Sequence, residues 1–207
     1  MDEKVHQLNN REKFLWSMNL IVSMNCKECG YLFENLVYPA FCDIRKITYT
    51  AATPTDNIYN HIDWSCTTIN GIYTTDVKSP KKIHRSDTAF TQNVLLEYTG
   101  VKGYQGWLHG KSDLISFYLF EDDQWYLVEF KRLELLKYIE DNYPGYGNPV
   151  RIPKGEIPPV HRWITRGFDS YIWIPYKELI DNVPYNGYNV TRLVYNSLSH
   201  YPFQPTS

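Results

Sequence analysis

No stretch of the chain is long and apolar enough to span a bilayer, and the first residues lack a basic-then-apolar leader. The sequence therefore predicts a cytoplasmic protein (host cytoplasm if viral) without membrane contact. A basic surplus is also missing: 21 Lys and Arg stand against 23 Asp and Glu, for a net charge of −2. A protein that coats nucleic acid indiscriminately carries an excess of positive charge, so a histone-like or architectural role is excluded. Positive charge gathered locally around a site is not. Cysteine is sparse, with 4 residues, at positions 26, 29, 42 and 66. Cys26-x-x-Cys29 has no second pair at zinc spacing, which speaks against a structural zinc, and Cys66 reads as a buried thiol. Repeats and coiled-coil heptads are absent. The 207 residues suffice for one substantial core.

What the chain does have is a strong hairpin signal across residues 61–85, HIDWSCTTINGIYTTDVKSPKKIHR. Asn70-Gly71 separates two runs rich in Ile, Thr, Tyr, Trp and Val, the composition of paired strands around a two-residue turn. With those two residues as the loop, Ile69 faces Ile72, Asp63 faces Lys78 and Ser65 faces Asp76. Side chains alternate with period two, so Asp63, Ser65, Thr67, Thr74, Asp76 and Lys78 share one face. Ile62, Trp64, Cys66 and Val77 take the other. Opposed Cβ atoms lie about 5 Å apart. Two readings fit this cluster. One is an Asp–Lys pair on a solvated face, worth a few tenths of a kcal/mol. The other is a site for a hard divalent ion such as Mg²⁺ or Mn²⁺, in which the ion activates water against a phosphodiester.

The arrangement resembles the core of the restriction-endonuclease-like superfamily, the PD-(D/E)xK nucleases, and in particular small phage-encoded members. The first motif element matches as Ile62-Asp63, without the proline, and the second as Asp76-Val77-Lys78. A preceding helix with a glutamate is matched by Glu34 in CGYLFENLVYPAF. The resemblance implies an α/β fold with a mixed central β-sheet flanked by helices. It also implies a metal held by Asp63, Asp76 and the carbonyl of Val77, with Lys78 near the attacking water. Glu34 is then a further ligand or a partner of bound water. Glu97, within the strand NVLLEY, joins as another carboxylate if that strand lies beside the one carrying Asp76. The implied substrate is DNA, duplex or branched. The alternative is a catalytically silent protein on the same fold, a viral factor that occupies nucleic acid or another protein. A homodimer stays open, since paired nicks need two sites.

The rest of the chain reads as follows. Residues 1–24 form an N-terminal extension that packs on the core, with 14–24 a helix or a buried strand. The α/β domain covers 25–182, and 183–207 is a partly ordered tail. Asn25 and Glu28 form a capping box. The helix they start carries the stripe Leu32, Phe33, Leu36, Val37 and Phe41, leaves Glu34 off it, and ends between 39 and 43. Strands are expected at 44–52, 93–98, 114–120, 124–130 and 168–174. Helices are expected at 111–113, 133–141, 176–181 and 190–198, and turns at 54–57 and 121–123. Lys81, Lys82 and Arg85 form the densest basic patch, immediately beyond Lys78, where phosphates would be gripped. Lys111 and Arg162 are further candidates for nucleic-acid contact. Glu129-Phe130-Lys131 repeats the acid-x-Lys pattern but lacks a partner Asp upstream, so it is read as a decoy.

Overall fold

The computed structural model describes residues 18–82, 90–99, 105–144, 149–152, 156, 159–166, 169–199 and 201. Residues 18–23 are helical, which resolves the helix-or-strand ambiguity there. Asn25 then caps helix α1 (Cys26–Tyr31): its side chain accepts from the Lys27 and Glu28 N–H groups, and the Glu28 carboxylate accepts from the Asn25 N–H at 2.7 Å. This is the expected capping box.

The helix does not stop at Pro39. It widens into a π turn (Leu32–Val37), where the Tyr38 N–H reaches back five residues to the Phe33 carbonyl, and restarts as α2 (Tyr38–Arg45) with the proline in its first turn. Proline crowds the preceding turn of an unbroken α-helix and is tolerated at a helix start. The inserted residue of the π turn supplies such a start. Lys46 ends α2 in the left-handed region, at φ 56°. Strand β1 (Thr48–Ala51) is accordingly shorter than predicted. Residues 54–57, expected as a turn, begin a short helical segment that continues through Asp56–Asn60; Thr53 caps it by accepting the Asp56 N–H.

The hairpin forms from β2 (Trp64–Thr68) and β3 (Gly71–Lys78). Its register differs from the expected one. Thr68 faces Gly71 and Trp64 faces Thr75, so the loop is Ile69-Asn70. Gly71 alone takes positive φ, 130°, while Ile69 and Asn70 keep negative φ. A two-residue turn on Asn70-Gly71 would need φ > 0 at both positions. The ladder thereby slides by two residues: Ser65 faces Thr74 rather than Asp76, and Asp63, one step beyond the last pair, comes beside Asp76 rather than Lys78. An even slide keeps every side chain on its face.

After β4 (Asn93–Thr99), the chain passes a 3₁₀ turn (Trp107–His109) and enters β5 (Leu114–Glu121) without the helix expected at 111–113. Asp122 and Asp123, both at positive φ, turn β5 into β6 (Gln124–Lys131). Helix α3 (Arg132–Asn142), β7 (Val150–Arg151), β8 (Ile164–Arg166), β9 (Asp169–Pro175) and helix α4 (Tyr176–Asn182) follow. Last among the described elements come β10 (Tyr185–Asn189), a strand the sequence reading missed, and α5 (Thr191–Ser199).

Two sheets result. The larger has the order β1-β2-β3-β5-β6-β10, with β3 and β5 parallel and the other pairs antiparallel; the smaller has the order β4-β9-β8-β7. β5 is central and apolar on both faces, and its alternation separates two cores. Tyr118 packs with Leu32, Phe33, Val37, Trp125 and Val194 under the helical layer. Ile115, Phe117 and Leu119 pack with Val94, Leu96, Leu135, Ile172 and Leu179 from the second sheet, α3 and α4. The fold is a mixed α/β architecture of two sheets flanked by helices. No helix among the described residues is long and apolar enough to cross a membrane.

Candidate functional site

β3 carries Asp76 on the face toward the second sheet, and the carboxyl is almost fully covered, at 2% exposure. Two residues on, Lys78 follows on the same face and its Nζ meets Asp76 Oδ1 at 2.6 Å. The Lys78 ammonium also stands 5.3 Å from the ring centroid of Trp107, a cation–π distance. Asp63 sits where the β2–β3 ladder runs out. Its N–H bonds the Thr75 carbonyl at 2.9 Å, and its Oδ2 accepts from the Val77 N–H at 2.6 Å. The Asn57 amide donates to the other oxygen. The Asp63 carboxyl thus stands across the hairpin end from Asp76, close enough for its charge to disfavour that of Asp76. Glu34 enters from the π turn, whose backbone is fixed here by the Trp64 indole donating to the Glu34 carbonyl at 2.9 Å.

Burial and charge crowding set the protonation of this group. Asp76 is pushed up to about 8, first by burial and further by Asp63, against the pull of Lys78. Glu34 is pushed up to about 7 by burial and by Asp63, while Lys78 and Lys81 act the other way. Lys78 is held above its ordinary range despite its burial, because Asp76, Asp63 and Glu34 all face it. Near neutral pH, Asp76 and Glu34 therefore hold protons for part of the time rather than both carrying full charge.

The residues fit a hard divalent cation in their chemistry. All donors are carboxylate oxygens, the type that Mg²⁺ and Mn²⁺ prefer. Asp76 Oδ2 is buried with no hydrogen-bond partner. Asp63 accepts two hydrogen bonds, and an ionised carboxylate has about four lone-pair directions, so ligand capacity remains. Among the described residues, no group of three or more His, Cys, Asp or Glu is placed so that it could hold a metal ion.

The other candidates divide. The main role of Val77 is the N–H that fixes Asp63, while its side chain goes to the helical core. Glu97 is not beside the Asp76 strand: β5 occupies that position, and β4 pairs with β9, placing Glu97 opposite Tyr171. It nevertheless lines, with Lys78 and Lys81, a cleft of about 160 Å³ between β4 and β5. Burial raises its carboxyl, and Lys78 pulls it back. The Lys82 ammonium bonds the Val22 carbonyl and so ties residues 79–82 to the N-terminal helical segment. Arg85 lies outside the described residues. Lys111 is exposed, with its N–H on the Asn60 carbonyl at 2.7 Å, and Arg162 is exposed at the entry to β8.

The acid-x-Lys at 129–131 comes apart. Glu129 faces the helical core, where Ser116 Oγ (3.2 Å) and the Tyr38 hydroxyl (3.4 Å) donate to it, while Lys131 pairs with Glu134. Sequence reasoning missed Asn57 and Trp107. Asn57 follows Pro54 in a stretch that reads as turn chemistry. Trp107, an aromatic in a glycine-rich segment, carried the better hint. Compared with family models, with curated proteins and with solved structures, the chain has no match.

Proposed function

We propose that the chain is a divalent-metal-dependent nuclease with a restriction-endonuclease-like core, hydrolysing phosphodiester bonds in DNA. The observation that carries this reading is the placing of Asp63, held by the Thr75 carbonyl and the Val77 N–H, across the hairpin end from Asp76, with Lys78 paired to Asp76 and Glu34 near enough to feel the charges of Asp63 and Lys78. Asp63 and Asp76 would hold Mg²⁺ or Mn²⁺. When bound, the ion supplies a water of lowered pKa and positive charge against the phosphate. The Val77 N–H and the Asn57 amide hold the Asp63 carboxylate in one orientation. Lys78, covered by Trp107 and buried among acids, keeps its proton and presents a fixed positive charge to the phosphate. Glu34, raised to about 7, is suited to accept a proton near neutrality. Lys81 adds charge at the mouth of the adjoining cleft.

Incubation with supercoiled, linear and branched DNA in Mg²⁺, Mn²⁺ or EDTA, beside Asp76→Ala, tests the reading. Metal-dependent cutting by the wild type and none by the folded variant is the expected result; equal cutting by both overturns it.

The absence of a ready-made ligand group among the described residues, together with the Lys78–Asp76 ion pair, favours one second reading. In it, the chain keeps the fold and binds nucleic acid or another protein without turnover. Metal-titration calorimetry with and without DNA separates the two, since only the nuclease needs the ion.

A further inference from the structure

We infer that the cleft beside Lys78 takes one unstacked nucleobase, so that the strand at the site is single or locally opened. This rests on the nuclease reading for what happens to the strand, but the capture itself stands on the cleft. Its lining is mostly apolar and includes Phe90, Trp107 and Phe117, with Lys78 and Lys81 at its cationic side and the Glu97 carboxyl on its β4 wall. An apolar, aromatic recess flanked by two ammonium groups is complementary to a nucleotide: the ring system enters and its phosphate stays with the lysines. Lys78 belongs to both places, through its 2.6 Å contact with Asp76 and its position over Trp107. A phosphate on that lysine is therefore presented to the acid cluster, while its base is withdrawn from the stack.

A recess of about 160 Å³ is smaller than ordinary drug-sized pockets. Stacked bases in a duplex expose only their edges in the grooves and cannot enter it without leaving the helix. Glu97 lies where it meets the edge of an inserted base, with the carboxyl or carboxylate as donor or acceptor. This gives that half-buried acid a use that does not require it to reach the metal.

The probe is a 12-nucleotide DNA strand carrying one 2-aminopurine, alone and as a blunt duplex, titrated with protein in EDTA and read by anisotropy and by 2-aminopurine emission. The single strand is expected to bind at least tenfold more tightly than the duplex, with emission changed at least twofold at saturation. Phe90→Ala, checked as folded by circular dichroism, should lose most of that preference. A duplex bound as tightly as the single strand, unchanged emission at saturation, or full preference in the Phe90→Ala protein each overturns the proposal. Since the assay contains no metal, it is independent of turnover. Base capture without cutting in any metal would refute the nuclease reading alone; cutting without capture would refute the cleft alone.

Discussion

Replacing Asp76 by Asn should stabilise the metal-free protein, increasingly so as pH rises. The ordinary value of the carboxyl is 3.8, and in the folded chain burial and Asp63 push it up to about 8. Folding therefore takes up a proton wherever the pH lies between these values. The stability contribution is fully present below about pH 4 and is lost as pH climbs to about 8. Each unit is worth about 1.4 kcal/mol, so about 4 kcal/mol disappears between pH 5 and pH 8 in the wild type. At 2% exposure, solvent screens little of it. Asn has the same shape, accepts from Lys78 through its carbonyl and does not titrate. The partnering lysine stays protonated throughout the window, because its own range is raised rather than lowered, so it adds no slope there. Urea unfolding in EDTA at pH 5, 6, 7 and 8, followed by tryptophan emission, should show the stability difference growing in favour of Asp76→Asn by about 1.4 kcal/mol per unit. A pH-independent difference, or a variant less stable than wild type at pH 8, would refute the reasoning.

Divalent ions must compete with the same protons, which Asp76 and Glu34 release near pH 8 and 7. Mg²⁺ or Mn²⁺ affinity should thus rise between pH 6 and 8.5 by about tenfold per unit for each proton displaced. Calorimetry in two buffers of different ionisation enthalpy reads the proton count, and a flat profile would contradict the acid cluster as the binding place. Glu129→Gln should leave metal-dependent cutting unchanged, because Glu129 faces the helical core with Ser116 and Tyr38; loss of cutting in a folded protein would mean the wrong acid-x-Lys was assigned. Asn57→Ala removes one solvent-exposed hydrogen bond to the Asp63 carboxylate and should cost about 0.5–1.5 kcal/mol at neutral pH, measured as a shift in urea midpoint, with no change expected if Asp63 holds its place through Val77 alone.

Much of the site was legible because its determinants are local. The period-two pattern fixed which hairpin residues share a face, and an error of two residues in register could not undo that. The slip itself came from turn chemistry: Asn-Gly invites a tight reversal, but here only Gly71 takes positive φ. The capping box at Asn25 and Glu28 was readable from three residues. The position of Glu34 off the apolar stripe was readable as well, since a helix that buries Leu32, Phe33 and Val37 turns that carboxyl out of its core.

The second neighbour of β3, which is β5, and the partner of β4 were not readable. Asn93–Thr99 alternates as well as any strand, but nothing within it says that β9 is its partner, because sheet pairing between distant segments is decided by the packing of the whole chain. β10 was hidden for a related reason. Tyr185-Asn-Gly-Tyr-Asn has almost no apolar alternation, and its strand character comes from the β6 edge it lies along. Pro39 misled in the opposite direction, since a breaker lost its force once the π turn preceded it.

That wide turn is a phase adjuster. One residue in an α-helix is worth about 100° of rotation, so the extra residue held between Leu32 and Val37 sets the angle between Glu34 and the Tyr38–Phe41 face below it. Loss of a single position there would rewind the segment into an ordinary helix, keep Tyr38 and Phe41 in the core, and turn the glutamate to a different angle from the Asp63–Lys78 end of the hairpin. Under the proposed function, the site would then be lost through one codon rather than through the loss of any charged group.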